Sequence, residues 1–285
     1  MSARMTAAAL AIVAWSTASR LDAQITDRIA RAAGAAVVAR APIGAAKEVE
    51  IGRGIASTVA GRYHVVSDSN LVEYVNLVGL AVARVSPRAN EITYRFNVLD
   101  SDDVNAFAAP GGYVFITRGA LAMMQSEAEL AGVLAHEIGH VDAKHVLEKI
   151  QRADMVKNVR QEADLHGALL DQVADLGAGM IFTGFDRREE MEADSIGQVY
   201  AAAAGYRTDG LRSFLGRLQA AQQAASVPAG FRQRLARSHP DLGMRIDALT
   251  RQATAAKLDP AAGEALTERF RAHVHLSPPT VVGRH

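Results

Sequence analysis

His136, Glu137 and His140 stand in the order His-Glu-Ile-Gly-His. On a helix, residues four apart point the same way, so both imidazoles can reach one ion. A zinc ion held by neutral nitrogen and carboxylate keeps one position open for water. Such a water has a pKa of roughly 7, against about 16 in bulk. Glu137 lies beside the metal face, where it can take the proton as the water attacks a peptide carbonyl and later return it to the leaving amine. Gly139, between the ligands, lets another backbone pack close.

Two imidazoles leave the ligand set incomplete. A third histidine in the spacing His-Glu-x-x-His-x-x-Gly-x-x-His would fall at Val146, and Ala143 stands where the glycine would be. His145 falls off the metal face of a continuous helix and reads as a surface residue. The best supply is the acidic run from Arg187 to Asp194. Glu190 and Asp194 share a helical face. One carboxylate could bind the ion while the other accepts the second N–H of a ligating histidine and fixes its tautomer. Spacing alone does not choose among Glu189, Glu190 and Glu192, and acids favour helix N-termini on their own account. Gly197 and Ala201 continue that face with small residues, which permits close packing.

The elements that must carry these groups are mostly helical. Apolar periodicity predicts helices over 26–40, 45–60 and 69–86. Alternating β-formers predict strands over Tyr94–Leu99 and Tyr113–Thr117, with the turn Pro110-Gly111-Gly112 just before the second and Asn105–Ala108 on or beside the sheet. Ser126 and Glu129 form a capping-box pattern that opens a long helix running to about residue 151. Residues 155–177 read as helical, and Gly177, Gly179 and Gly184 loosen the chain after them. Further helices are expected over 187–204, ended by Gly205, and over 209–224, 240–256 and 261–272. The tail from Ser277 reads as irregular. The fold class is α+β, mainly α.

Composition agrees with this class. Apolar residues make up 49% of the 285, enough for a core, while aromatics are only 5%. Basic and acidic residues number 31 each, so no basic surplus points to nucleic acid. With no cysteine, any metal must be held by nitrogen and oxygen.

Residues 1–23 read as a signal peptide. Arg4 gives a positive start, residues 5–19 are uncharged, and Ala23 offers a cleavage point. Fifteen uncharged residues are too few for a membrane span, which needs roughly 20. The later apolar stretch from Leu165 to Phe185 is interrupted by Asp171 and Asp175. The expectation is a protein that is periplasmic or otherwise exported, soluble, and without a transmembrane span after signal removal.

Four motifs in this order resemble the HtpX, Oma and CAAX prenyl endopeptidase-like family of zinc metallopeptidases (metallopeptidase family 48). They are Asn105-Ala106-Phe107-Ala108-Ala109-Pro110-Gly111-Gly112, the 136–140 motif, Glu190-x-x-x-Asp194 and Ser238-His239-Pro240. The resemblance covers roughly 45–253 and is nearest to the exported BepA/LoiP-like branch. It implies a zincin-like gluzincin core, with a small sheet beside the His-Glu-x-x-His helix, and one zinc ion per chain. His136, His140 and Glu190 would be the ligands, with Asp194 behind them and Glu137 as the base. It also implies that Tyr113–Thr117 offers a free edge to which substrate adds as a strand.

His239 and Arg245 match family positions. His239 would either stabilise the oxyanion or occupy the fourth zinc position and keep the enzyme latent. Arg245 would steady the site or pair with an acid. Protein or peptide substrates, including misfolded envelope proteins, follow from the resemblance and the expected export.

The expected organisation is a signal peptide (1–23), an N-terminal helical segment (24–44), a metallopeptidase domain (45–256) and a C-terminal helix and tail (257–285). The last segment leaves no room for a long helical-repeat domain. Residues 155–186 are expected to cover the cleft and to move for substrate. The alternatives are a metal-bound chaperone or adaptor, against which Glu137 argues, and a hydrolase of small or non-peptide substrates using the same metal.

Overall fold

Ser126 starts the helix that matters most. Its hydroxyl accepts the Glu129 N–H, as a cap should. The Glu129 carboxylate completes only part of the expected box, because it reaches past Ser126 to the Gln125 N–H.

The computed structural model describes residues 43–152, 168–224, 227, 229–238, 241–259 and 262–276. The expected signal peptide and the helix over 26–40 lie outside these, as do residues 155–167, His239 and Pro240. The described chain runs α1 (Ala45–Arg62), α2 (Ser69–Ala83), β1 (Arg95–Leu99), β2 (Ala106–Ala109), a 3-10 turn (Pro110–Gly112), β3 (Tyr113–Thr117), α3 (Arg118–Met123) and α4 (Glu127–Asp142). It continues as α5 (His145–Arg152), α6 (Ala168–Thr183), α7 (Arg187–Ala203), α8 (Gly210–Gln223), α9 (Ala229–Ser238), α10 (Leu242–Ala255) and α11 (Thr267–His273). No helix among the described residues is long and apolar enough to cross a membrane.

The sheet order is β1-β3-β2, with β1 parallel and β2 antiparallel to β3. Alternation along the strands sends side chains to two cores. Phe96, Val98, Ala108, Val114 and Ile116 face the core shared with α2, α4, α7 and α8. Leu99, Phe107, Ala109 and Phe115 face a second core built with α1, α5 and α6.

Four expectations change here. Tyr113–Thr117 is the middle strand, so it has no free edge. The outer flank of β1 is bonded to residues 64–66 through Val66 N–H to Val98 O and Asp100 N–H to His64 O. That leaves β2 as the sheet edge toward the cleft. The long helix to residue 151 is two helices, because Lys144 takes a left-handed φ of 57° between α4 and α5. Gly177 and Gly179 do not loosen the chain. They lie within α6, where the Gly177 site abuts Ile55 of α1. Gly184, at φ 77°, does end that segment. The C-terminal helix is shorter than expected, at Thr267–His273.

Buried charges pin the frame around the site. The Arg88 guanidinium donates to both Glu48 oxygens, at 3.1 and 2.5 Å, and to the Val141 carbonyl near the end of α4. Glu48 also accepts the Gly111 N–H at 3.1 Å, which fixes the turn before β3. Asp142, the last residue of α4, accepts hydroxyls from Ser86, Tyr94 and Tyr200. At the other end of α4, Glu127 is held by Tyr74, Tyr206 and Arg269 of α11. The helix that carries His136 and His140 is thereby anchored at both ends.

Candidate metal centre

α4 and α7 cross almost backbone to backbone. A Cβ at Gly197 would come within 2.7 Å of the His136 nitrogen, and one at Gly139 within 3.0 Å of the Ala193 carbonyl. Only glycine allows this approach, which sets the acidic face of α7 against the two imidazoles. α7 itself starts in a complete capping box, Asp186 with Glu189.

His136 Nε2 and His140 Nε2 lie 3.0 Å apart. Glu190 Oε1 is 3.6 Å from His140 Nε2, and Glu190 Oε2 is 3.8 Å from His136 Nε2. All three residues are buried. Donors bound tetrahedrally at about 2.0–2.1 Å would stand roughly 3.3 Å from one another. The spacing, the burial and the nitrogen–oxygen donor set therefore fit a single small divalent ion.

The other glutamates are engaged elsewhere. Glu189 is buried against Arg152, at 2.6 Å, and Glu192 stands 3.7 Å from His145 Nε2.

Asp194 stands behind His136. Its Oδ1 is 2.9 Å from His136 Nδ1, off the line of a straight hydrogen bond. Arg245 of α10 grips this carboxylate in a two-pronged pair, Nε to Oδ2 at 2.7 Å and Nη2 to Oδ1 at 2.6 Å. Its third nitrogen is 2.5 Å from Glu190 Oε2. Burial would raise the pKa of both carboxyls, but Arg245 outweighs it, helped by His140 and His136 at Glu190 and by His136 at Asp194, and both are held below the usual range. Glu137 lacks such a clamp. Burial pushes its pKa up to about 7, with His136 opposing and Glu190 adding to the rise.

His140 has different company. Phe185 stacks on its ring at 4.0 Å, and Lys149 sits over Phe185 while donating to the Gly184 carbonyl at 2.6 Å. The His140 Nδ1 is 2.8 Å from the Nδ1 of His145. His145 is therefore not the surface residue expected. It is fully buried, because the break at Lys144 turns its ring back toward His140. Burial first, then His140, hold His145 down to about 3, and burial holds His140 down to about 4.

His136, Glu137, His140, Glu190 and Arg245 line a cavity of about 50 Å³. Its other walls include Asn105, Phe107 and their neighbours on the β2 side, Val133, Leu211, Phe214 and Leu215, and Phe182 with Phe185. The structure thus brings together His136, Glu137, His140, Glu190, Asp194 and Arg245, whereas His239 lies outside the described residues. Phe185 and His145 are the neighbours that sequence reasoning missed. Lys144 carries no helix-stop signal of the glycine or asparagine kind, so nothing local announced the turn.

The chain matches Peptidase family M48 over residues 71–253. It is 31% identical over 177 residues to the mitochondrial metalloendopeptidase OMA1 of Schizosaccharomyces pombe, covering 61% of this chain and 50% of that protein. It is 27% identical over 196 residues to the beta-barrel assembly-enhancing protease of Escherichia coli K12, covering 64% and 39% respectively. With the metalloprotease YcaL of the same organism it shares 28% over 156 residues, 53% of this chain and 59% of YcaL. The aligned part is thus 39% to 59% of the length of these relatives. With the match spanning well over half the chain, and both site-bearing helices inside it, this chain belongs to peptidase family M48.

Proposed function

We propose that this chain is a zinc-dependent endopeptidase with a gluzincin-type core, in which His136, His140 and Glu190 hold one zinc ion. The observation that carries this reading is the convergence of two imidazoles and one carboxylate, from α4 and α7, beside the unclamped buried acid Glu137. Zinc bound there would supply a water acidic enough to lose its proton near neutral pH. Glu137 accepts that proton on its carboxylate and delivers it to the leaving amine. A carboxyl with a pKa near 7 is matched to this exchange. Asp194 and Arg245 hold His136 and Glu190 in place and do not touch substrate.

Substrate fits along β2, the edge strand bordering the cleft, by adding a strand to it. The apolar walls at Val133, Leu211, Phe214 and Leu215 favour an apolar side chain next to the scissile bond. The cavity of about 50 Å³ holds only a few waters, so a peptide requires the segment carrying Phe182 and Phe185 to move. His239 would act as an oxyanion donor or as a latch on the fourth metal position. His239→Ala slows turnover in the first case and speeds it in the second. Export, misfolded envelope proteins as substrates and the 45–256 catalytic unit complete the proposal.

The test combines metal analysis with casein digestion. Wild type should carry one zinc and cleave. Glu137→Gln should keep the zinc and lose cleavage by at least 100-fold. Stoichiometric zinc without any cleavage by wild type would leave an adaptor role, and absence of metal would defeat the reading.

A further inference from the structure

His145 is a buried histidine that the mechanism above leaves unused, and its position is costly to arrange. Had α4 continued, residue 145 would lie about 140° around the helix from His140, its ring pointing away. Instead Lys144 adopts the left-handed conformation, with its Nζ donating to the Ile43 carbonyl at 3.3 Å and 3.7 Å from Glu48. α5 then begins with His145 aimed back at His140. The two rings meet edge to face with centroids 5.0 Å apart.

The hydrogen bond between the two Nδ1 atoms has one proton and one lone pair. His140 Nε2 faces His136 and Glu190, where a ligand needs its lone pair. Its proton therefore sits on Nδ1 and is donated to His145. His145 must then carry its own proton on Nε2, the atom 3.7 Å from Glu192 Oε2. Phe185 closes the cage, stacked on His140 and tilted against His145.

We propose that His145 is a positioning residue that fixes the proton and the ring orientation of His140, and thereby sets how tightly the site holds its metal. This rests on the reading of His140 as a ligand. His136 is backed by a charged carboxylate, whereas His140 is backed by a neutral imidazole. An outer partner of this kind commonly controls affinity 10- to 100-fold.

The test measures zinc affinity of the full chain by competition with a chelator. His145→Phe keeps the ring's bulk and removes the acceptor, and should weaken zinc binding about 10- to 100-fold. His145→Gln restores an acceptor and should recover most of that loss, with the melting temperature of the chelator-treated protein close to wild type. Unchanged affinity in His145→Phe overturns the inference. Failure of wild type to bind stoichiometric zinc defeats the ligand reading instead.

If the Phe variant does not fold, histidine ¹⁵N spectra of the unmutated chelator-treated protein decide. A proton on Nδ1 of His140 and on Nε2 of His145 supports the proposal, and the reverse assignment overturns it.

Discussion

The two imidazoles of the centre sit in opposite surroundings. On the His136 side, Asp194 and Glu190 are buried with Arg245 between them, an ionic clamp linking α7 to α10. On the His140 side, beyond the Glu190 carboxylate that both rings face, the neighbours are a neutral imidazole and an aromatic ring from the segments flanking α6. The charged side is rigid, because a buried ion pair loses several kcal/mol when any member leaves. The uncharged side is held by stacking and one neutral hydrogen bond, each worth about 1 kcal/mol. Under the proposed function, such a centre would keep its ligands fixed from one flank while the other shifts for substrate.

The largest effect should come from the clamp. Arg245→Met leaves two carboxylates buried without their cation and should cost about 3–5 kcal/mol in denaturant unfolding. A loss under about 1 kcal/mol, the scale of a neutral hydrogen bond, would show that the charged side is not what ties α7 to α10. Next comes metal affinity. Asp194→Asn removes a charged partner and should weaken zinc at or beyond the hundredfold end of the usual range, more than His145→Phe does. Equal losses would erase the asymmetry.

The smallest effect is a pH dependence specific to the uncharged side. The folded pKa of His145, near 3, lies below its ordinary value of 6.5. The unfolded chain therefore binds more protons between these values, and stability rises with pH. The contribution is complete above pH 6.5 and is lost as pH falls toward 3. In chelator-treated protein, wild type should lose about 2 kcal/mol relative to His145→Phe between pH 6.5 and 5, read from urea midpoints. Glu190 and Asp194, whose pKa values are lowered, are stabilising above their ordinary values of 4.5 and 3.8 and lose that contribution only at lower pH. A difference that stays flat down to pH 5 would place the titrating groups on the charged side.

Much of the centre was legible in the sequence because its signals are local. The i, i+4 spacing of His136 and His140 and the Ser126 cap depend on helix geometry alone, and so does the shared face of Glu190 and Asp194. The strands showed through alternation. Less visible was everything set by the meeting of distant segments. Spacing left Glu189, Glu190 and Glu192 equivalent. Their roles separate only where Gly139 and Gly197 let α4 and α7 touch, with Arg152 drawing Glu189 away.

The amino-acid sequence by itself determined the chemistry on offer: two nitrogen donors and a base on one helix, acids on another, and no thiol to compete. Tertiary structure decided which acid faces the imidazoles, that Arg245 clamps two of them, that β3 is a middle strand, and that His145 turns inward. The physical reason is range. Periodicity and capping act over a few residues and can be read in order, whereas β1 finds β3 18 residues along the chain, and a left-handed Lys144 and the buried guanidiniums are fixed by partners 40 or more residues away.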